Sequence, residues 1–221
     1  MKRLINRKRK KEKSRIGIVI YNHIINNKRN YIIATILFFI GLIVGVMFVN
    51  NIKEEQFLQI DTYIKSLINN VKNTEKIDYI LLLKESIISN FILVISVLIA
   101  SSTIIGIPIV YITVIIKGFS LGYTISSILA VLGTGNGILF ILSTLLLHNI
   151  IFIPILLAIS VSGMKLYKSI TQNRERENIK IEFLRHLIFC TIMLLFLIVA
   201  SLIEVYVSTN LSKFFVNYIN F

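Results

Sequence analysis

The sequence contains no tryptophan, two prolines, three histidines and one cysteine, and only 16% of its residues are charged. A single cysteine, Cys190, excludes an intrachain disulfide, and a thiol inside an apolar run reads as a small core residue. One cysteine implies no metal cluster, and no second histidine or cysteine lies at ligand spacing from His148, so no metal and no cofactor is expected. The low charge is itself informative, because a soluble domain carries about 25% charged residues. Nothing among the glycines has the G-x-G-x-x-G spacing that holds nucleotide phosphates. Gly133-Thr-Gly-Asn-Gly137 has no preceding strand and reads as a hairpin turn.

What is present is apolar length. Hydrophobic residues make up 55% of the 221, and they fall in runs near the roughly 20 residues needed to cross about 30 Å of hydrocarbon. Tyr31 to Val49 is uncharged and, at 1.5 Å per residue, covers about 28 Å. No small-x-small cleavage site follows it, so it is expected to be an uncleaved signal anchor. Ile138 to Ser162 and Leu187 to Val207 are further spans. Between them lies a polar loop, 163–186, with Lys165, Lys168, Arg174, Arg176, Lys180 and Arg185. Ile87 to Leu132 is too long for one crossing and holds two. In one parse a helix Ile87–Ile116, kinked near Gly106 and Pro108, precedes a short span Gly118–Leu132. In the other the break falls at Ile105, which leaves Lys117 near mid-membrane. Lysine at a helix centre costs about 2.5–3.5 kcal/mol on insertion scales, so the first parse is preferred. The fold class is therefore all-α, a polytopic transmembrane bundle of about five spans (31–49, 87–116, 118–132, 138–162, 187–207), with a tail at 208–221.

Between the first two spans, segment 50–86 has five lysines and six acids. Ile60, Ile64, Leu67, Ile68 and Val71 recur there at helical spacing, the mark of an amphipathic helix. Its apolar face is expected on lipid, on its own bundle or on a partner protein. Ile16, Val19, Ile20, His23 and Ile24 suggest a second such helix lying on the membrane surface.

Net charge is +13, and residues 1–30 hold 11 Lys/Arg against the single acid Glu12. Beside a membrane span this basic segment is expected to meet anionic lipid rather than nucleic acid. If the N-terminus is cytoplasmic, inner segments hold 18 basic residues and outer segments 6, the positive-inside asymmetry. Five spans then leave the C-terminus outside.

Few residues could carry chemistry. Gly118-Phe-Ser120-Leu-Gly122 fits G-x-S-x-G, which in a membrane helix could make Ser120 a nucleophile with His148 as base. The same glycines fit a small-xxx-small packing face, repeated at Gly41 and Gly45, and packing is preferred. His148 and Asn149 lie near mid-depth of their span, where an ionisable group is a functional candidate by default. Lys117 reads as a marker of the cytoplasmic helix end or as part of a polar path. Glu204 is expected near the outer interface, in reach of water.

The stretch from Gly106-Ile-Pro108 through Lys117-Gly118 to Gly122-Tyr-Thr resembles the stage II sporulation protein M family, and so does Leu147-His148-Asn149 with the following Pro154. The sequence departs from that pattern at Leu147, where proline is often found, and at Phe152, where broader relatives often carry glutamate. The second departure removes an acid partner from His148 and suits a sporulation-branch member. The resemblance implies a non-enzymatic membrane scaffold in the mother-cell septal and engulfing membrane. Its implied partners are the cell-wall hydrolases stage II sporulation proteins D and P, with contacts expected on the outer helix and the short outer turn. The alternative is a transporter or permease subunit with a broken-helix path near Lys117 and His148.

Overall fold

The computed structural model describes residues 23–73, 78–103, 105–172 and 176–216, without the side chains of 172 and 176–178. The surface helix expected at Ile16–Ile24 falls outside these up to residue 22. What is described of it is a short helical turn at 23–26. Seven α-helices follow: α1 Lys28–Asn50, α2 Glu54–Asn73, α3 Tyr79–Ser101, α4 Gly106–Ile141, α5 Leu147–Gln172, α6 Arg176–Ile203 and α7 Thr209–Val216. Single π-helical turns, Leu142–Leu146 and Glu204–Ser208, join α4 to α5 and α6 to α7.

Four continuous helical stretches are long and apolar enough to cross a membrane: Lys28–Asn50, Tyr79–Ser101, Gly106–Thr171 and Ile179–Val216. The third runs for 66 residues, about 100 Å if straight, yet it folds back on itself. Gly133 has φ of 72°, a left-handed value that glycine adopts without steric cost. On either side of it the arms pack antiparallel, with Gly137 against Leu129 and Lys117 over Phe152. The glycine-rich segment is thus a hairpin turn, and the chain makes five passages. Around the bundle Ile36, Ile43, Phe91, Ile112, Ile150 and Leu195 are all exposed. An apolar belt of that extent is stable only in lipid.

The break inside Ile87–Leu132 is not where the preferred parse put it. α3 ends at Ser101 and α4 begins at Gly106, running through Lys117 without interruption. Three hydroxyls explain the stop. Ser101, Ser102 and Thr103 donate to the carbonyls of Val97, Leu98 and Ala100 at 2.6, 2.9 and 2.8 Å. Ser102 and Thr103 thereby serve carbonyls in the last turn, which a helix end leaves unpaired. Pro108 sits in the first turn of α4, where its missing N–H was never needed. The lysine penalty that decided the other way applies to a side chain facing lipid, and Lys117 faces a cavity inside the bundle.

Helices also outrun the expected spans. Asp78 caps α3, its carboxylate accepting from the N–H groups of Ile80 and Leu81 at 3.1 and 3.0 Å, so the segment taken as loop up to 86 is already helical from Tyr79. The polar loop expected at 163–186 is largely the ends of α5 and α6. There Glu182 bridges Lys165 at 3.3 Å and Arg185 at 2.7 Å. Beyond Val207 the chain continues into α7.

Packing is tightest between α1 and α4, which run parallel. Ala34, Phe38, Gly41, Gly45 and Val49 form the buried stripe of α1, and Val110, Val114, Gly118, Gly122 and Ser126 that of α4. A Cβ at Gly41 would fall on the carbonyl oxygen of Ile115, one at Gly45 on that of Phe119, one at Gly118 on that of Phe38 and one at Gly122 on that of Leu42. The two backbones therefore touch directly, the small-xxx-small contact by which membrane helices gain dispersion energy that lipid cannot match. α3, α5 and α6 complete the bundle around Leu93, Val97, Leu156, Ile159, Cys190 and Leu197.

Beyond the spans α2, α7 and the hairpin form a cap. Ile64 and Ile68 of α2 pack with Ile128 and Val216, flanked by Ile60, Val71, Phe140 and Leu145. The amphipathic face of α2 is therefore turned onto its own bundle. Leu67, expected on that face, is instead exposed at its edge, as are Leu58 and Tyr63.

Candidate functional site: a polar cavity within the bundle

Polar residues on otherwise apolar helices converge in one place. Ser86 and Asn90 of α3, Lys117, Ser120 and Thr124 of α4, His148 and Asn149 of α5, and Glu204 after α6 line a cavity of about 420 Å³ with Glu85, Phe152 and Thr209. Ser86 and Asn90, and Lys117, Ser120 and Thr124, are spaced three to four residues apart, so α3 and α4 each present these groups on one face, whereas His148 and Asn149 are adjacent in α5. Each π-helical turn adjoins this region and the other π turn. His148 is the second residue after the first, and Glu204 opens the second. A π turn inserts one extra residue per turn and re-aims the side chains after it, a feature common at functional sites.

A hydrogen-bonded chain ties α3 to α6. The Ser86 hydroxyl donates to Glu204 Oε2 at 2.6 Å, and its oxygen lies 2.9 Å from Ser201 Oγ. Ser201 in turn accepts from Asn90 Nδ2 at 2.9 Å. Across the cavity His148 Nδ1 stands 3.4 Å from the same Glu204 oxygen. That is close enough for an ion pair when the imidazole is protonated, but it is not aligned as a hydrogen bond, and Nδ1 is buried without another partner. The ring of His148 stacks on Phe152 with centroids 5.2 Å apart. Lys117 Nζ lies 5.6 Å from the centroid of the Phe152 ring, a cation–π distance. Asn149 is turned to its own helix, its Nδ2 donating to the Leu145 carbonyl at 2.8 Å.

The sequence-level candidates thus separate into two places. Lys117, His148 and Asn149 share the cavity with Ser120. Gly118 and Gly122 lie at the α1–α4 seam. Pro154 lines a different, apolar crevice with Tyr31, Phe189 and Phe196. Ser120 and His148 are not joined by a hydrogen bond among the described residues, and His148 faces Glu204 instead. Where Phe152 removed the acid expected beside His148, a carboxylate arrives from a helix 56 positions away. Glu204, Ser86, Asn90 and Ser201 were not picked out as a site from sequence. The available signal was the pair of polar residues at Ser86/Asn90 and Ser201/Glu204, each spaced for one helical face.

A second polar cluster lies nearer the other end of α3. His186 is 2% exposed, with Nδ1 2.9 Å from Ser162 Oγ and Nε2 3.6 Å from Cys190 Sγ. The missing side chain of Gly163 makes room for Ser101 Oγ beside it.

These features define a polytopic α-helical membrane protein with a glycine-packed helix pair, a helical cap at one end and a polar cavity among its helices. The family model for Stage II sporulation protein M matches residues 34–209, and the chain belongs to that family. The match begins within α1 and ends at the first residue of α7, so it takes in the seam, the hairpin and the cavity. No curated protein and no solved structure matches the chain.

Proposed function

We propose that this sporulation-related membrane protein is a non-enzymatic scaffold for engulfment that recruits or localises cell-wall hydrolases, the stage II sporulation proteins D and P. The supporting observation is the cap. α2 and α7 are held on the hairpin by Ile64, Ile68, Ile128 and Val216, so the extramembrane surface is fixed to the bundle rather than tethered to it. In the positive-inside orientation that surface faces the hydrolases, and the basic N-terminal segment faces anionic lipid on the cytoplasmic side. Because Ile64 and Ile68 of α2 are buried against the bundle, partner contact falls on the exposed flanks of the helix, Leu58 on one and Tyr63 on the other.

Deletion of the gene is expected to block engulfment and to disperse both hydrolases from the septal membrane. Replacing Leu58 and Tyr63 together by aspartate is expected to leave the protein level unchanged and to abolish co-purification of the hydrolases from sporulating cells. Normal engulfment in the deletion strain overturns the proposal.

The cavity favours a second reading, a carrier or permease subunit. Lys117 and His148 lie on the two arms of a hairpin, and both line a polar space within the bundle. Solute flux into proteoliposomes that is lost on His148→Ala would support it.

A further inference from the structure

The cavity also has an unbalanced inventory of donors and acceptors. Lys117 brings three N–H donors and a positive charge. Its neighbour is the face of Phe152, and among the described residues it has no carboxylate within ion-pair distance. The reverse holds on the wall formed by α3 and the end of α6. There Glu204 uses one oxygen for Ser86 and for His148, and Glu85 lines the same space. Cation and anions are not paired with each other: Lys117 lies over Phe152, whereas Glu204 meets His148, whose ring stacks on Phe152.

An ammonium set against an aromatic face inside a bundle is expensive without an anion, while Glu204, 40% exposed and bonded to Ser86, and the exposed Glu85 leave carboxylate oxygens open to a cationic partner. A ligand that satisfies both must present an anionic oxygen group at Lys117 and an ammonium at the acidic wall. We propose that this cavity binds a zwitterion through Lys117 and the Glu85/Glu204 wall. The volume, about 420 Å³, falls in the usual range for small-molecule sites. Two sources carry that chemistry, a free amino acid or short peptide and the headgroup of an aminophospholipid. The inference does not depend on hydrolase recruitment or on transport, since binding is read without either.

The test uses the full-length protein in nanodiscs of phosphatidylglycerol, with tritiated alanylalanine in one arm and tritiated phosphatidylethanolamine in the other. Saturable binding of one probe is expected, and the arm that saturates identifies the source. Lys117→Met is expected to weaken it at least tenfold. Phe152→Glu places a carboxylate against Lys117 and is expected to abolish binding while the protein still elutes as wild type on gel filtration. This second variant keeps the test valid if Lys117→Met fails to fold. Glu204→Gln is expected to weaken the ammonium end and to leave binding of acetate, a competitor without an ammonium, unaffected. Absence of saturable binding in both arms overturns the proposal, as does undiminished binding to a folded Phe152→Glu protein.

Discussion

The α1–α4 seam makes a sharp quantitative prediction at Gly122. Adding one methyl group there, as Gly122→Ala, puts a carbon on the carbonyl oxygen of Leu42, with the carbonyl carbon at 2.9 Å and the Cα at 3.0 Å. All three are backbone atoms, so no side chain can rotate away. Ordinary contact begins at 3.4 Å, which requires the helices to part by on the order of 1 Å. Such a gap forfeits a quarter to a half of each dispersion well along the seam. Overpacking of this kind costs about 1–3 kcal/mol, and for a chain of this length each kcal/mol lowers the midpoint by roughly 2–4 °C. A fall of about 2–12 °C is therefore expected. The protein supplies its own reporter, because Cys190 is its only cysteine and is 2% exposed. A maleimide dye that fluoresces on reacting with the thiol reads unfolding directly during a thermal ramp in detergent. Gly135→Ala is the matched control. Nothing lies within 4 Å of the added carbon there, and no loss is expected. Equal midpoints for Gly122→Ala and wild type would refute the claim that the backbones touch, as would equal losses at Gly122 and Gly135.

Gly133→Ala is expected to destabilise the hairpin by about 1–3 kcal/mol, because φ of 72° with ψ of 173° is a backbone region essentially only glycine enters, and Gly133→Asn by a similar amount; the same dye assay compares both with wild type. Ile68 is fully buried between α2 and the bundle. Ile68→Ala is expected to cost about 2–5 kcal/mol and to release α2, read as faster proteolysis at 54–73 with the spans still protected. At the other end, His23 hydrogen-bonds Tyr31 at 3.1 Å and stacks on Phe189 at 4.8 Å. Burial, and secondly the charge of Lys165, hold its pKa below the usual 6.5. The undocked turn therefore takes up a proton first as pH falls below 6.5, so docking is strongest above that value and is lost toward lower pH. Hydrogen-exchange protection at residues 23–31, taken relative to the intrinsic rate at each pH, is expected to fall between about pH 7 and about pH 5.5, and His23→Gln is expected to remove that fall.

Much of the architecture is local information. Long uncharged runs such as Tyr31–Val49 have no stable home except lipid, and the turn at Gly133–Gly137 follows from glycine in a place where the chain must reverse. The helical repeat of Ile60, Ile64, Leu67, Ile68 and Val71 is equally plain, although Leu67 ends up exposed. The spacing Gly41/Gly45 and Gly118/Gly122 marked two small-residue faces before anything showed that they meet. What went astray was the boundary at Lys117, because its penalty was assigned as though the side chain met lipid. The three hydroxyl residues that close α3 were a signal at Ser101–Thr103, overlooked since serine and threonine are common inside membrane helices.

By itself, then, the sequence determined that the chain is a helical membrane protein with about five passages, an amphipathic helix after the first of them and close-packing glycines. These properties follow from composition and period, which act within one helix at a time. Only the tertiary structure decided which faces meet. It set α1 against α4, turned α2 inward, and brought Glu204 to His148 across 56 positions of chain. Such pairings depend on the rotation and depth of each helix relative to the others. Those are set by packing of the whole bundle, which no single helix encodes.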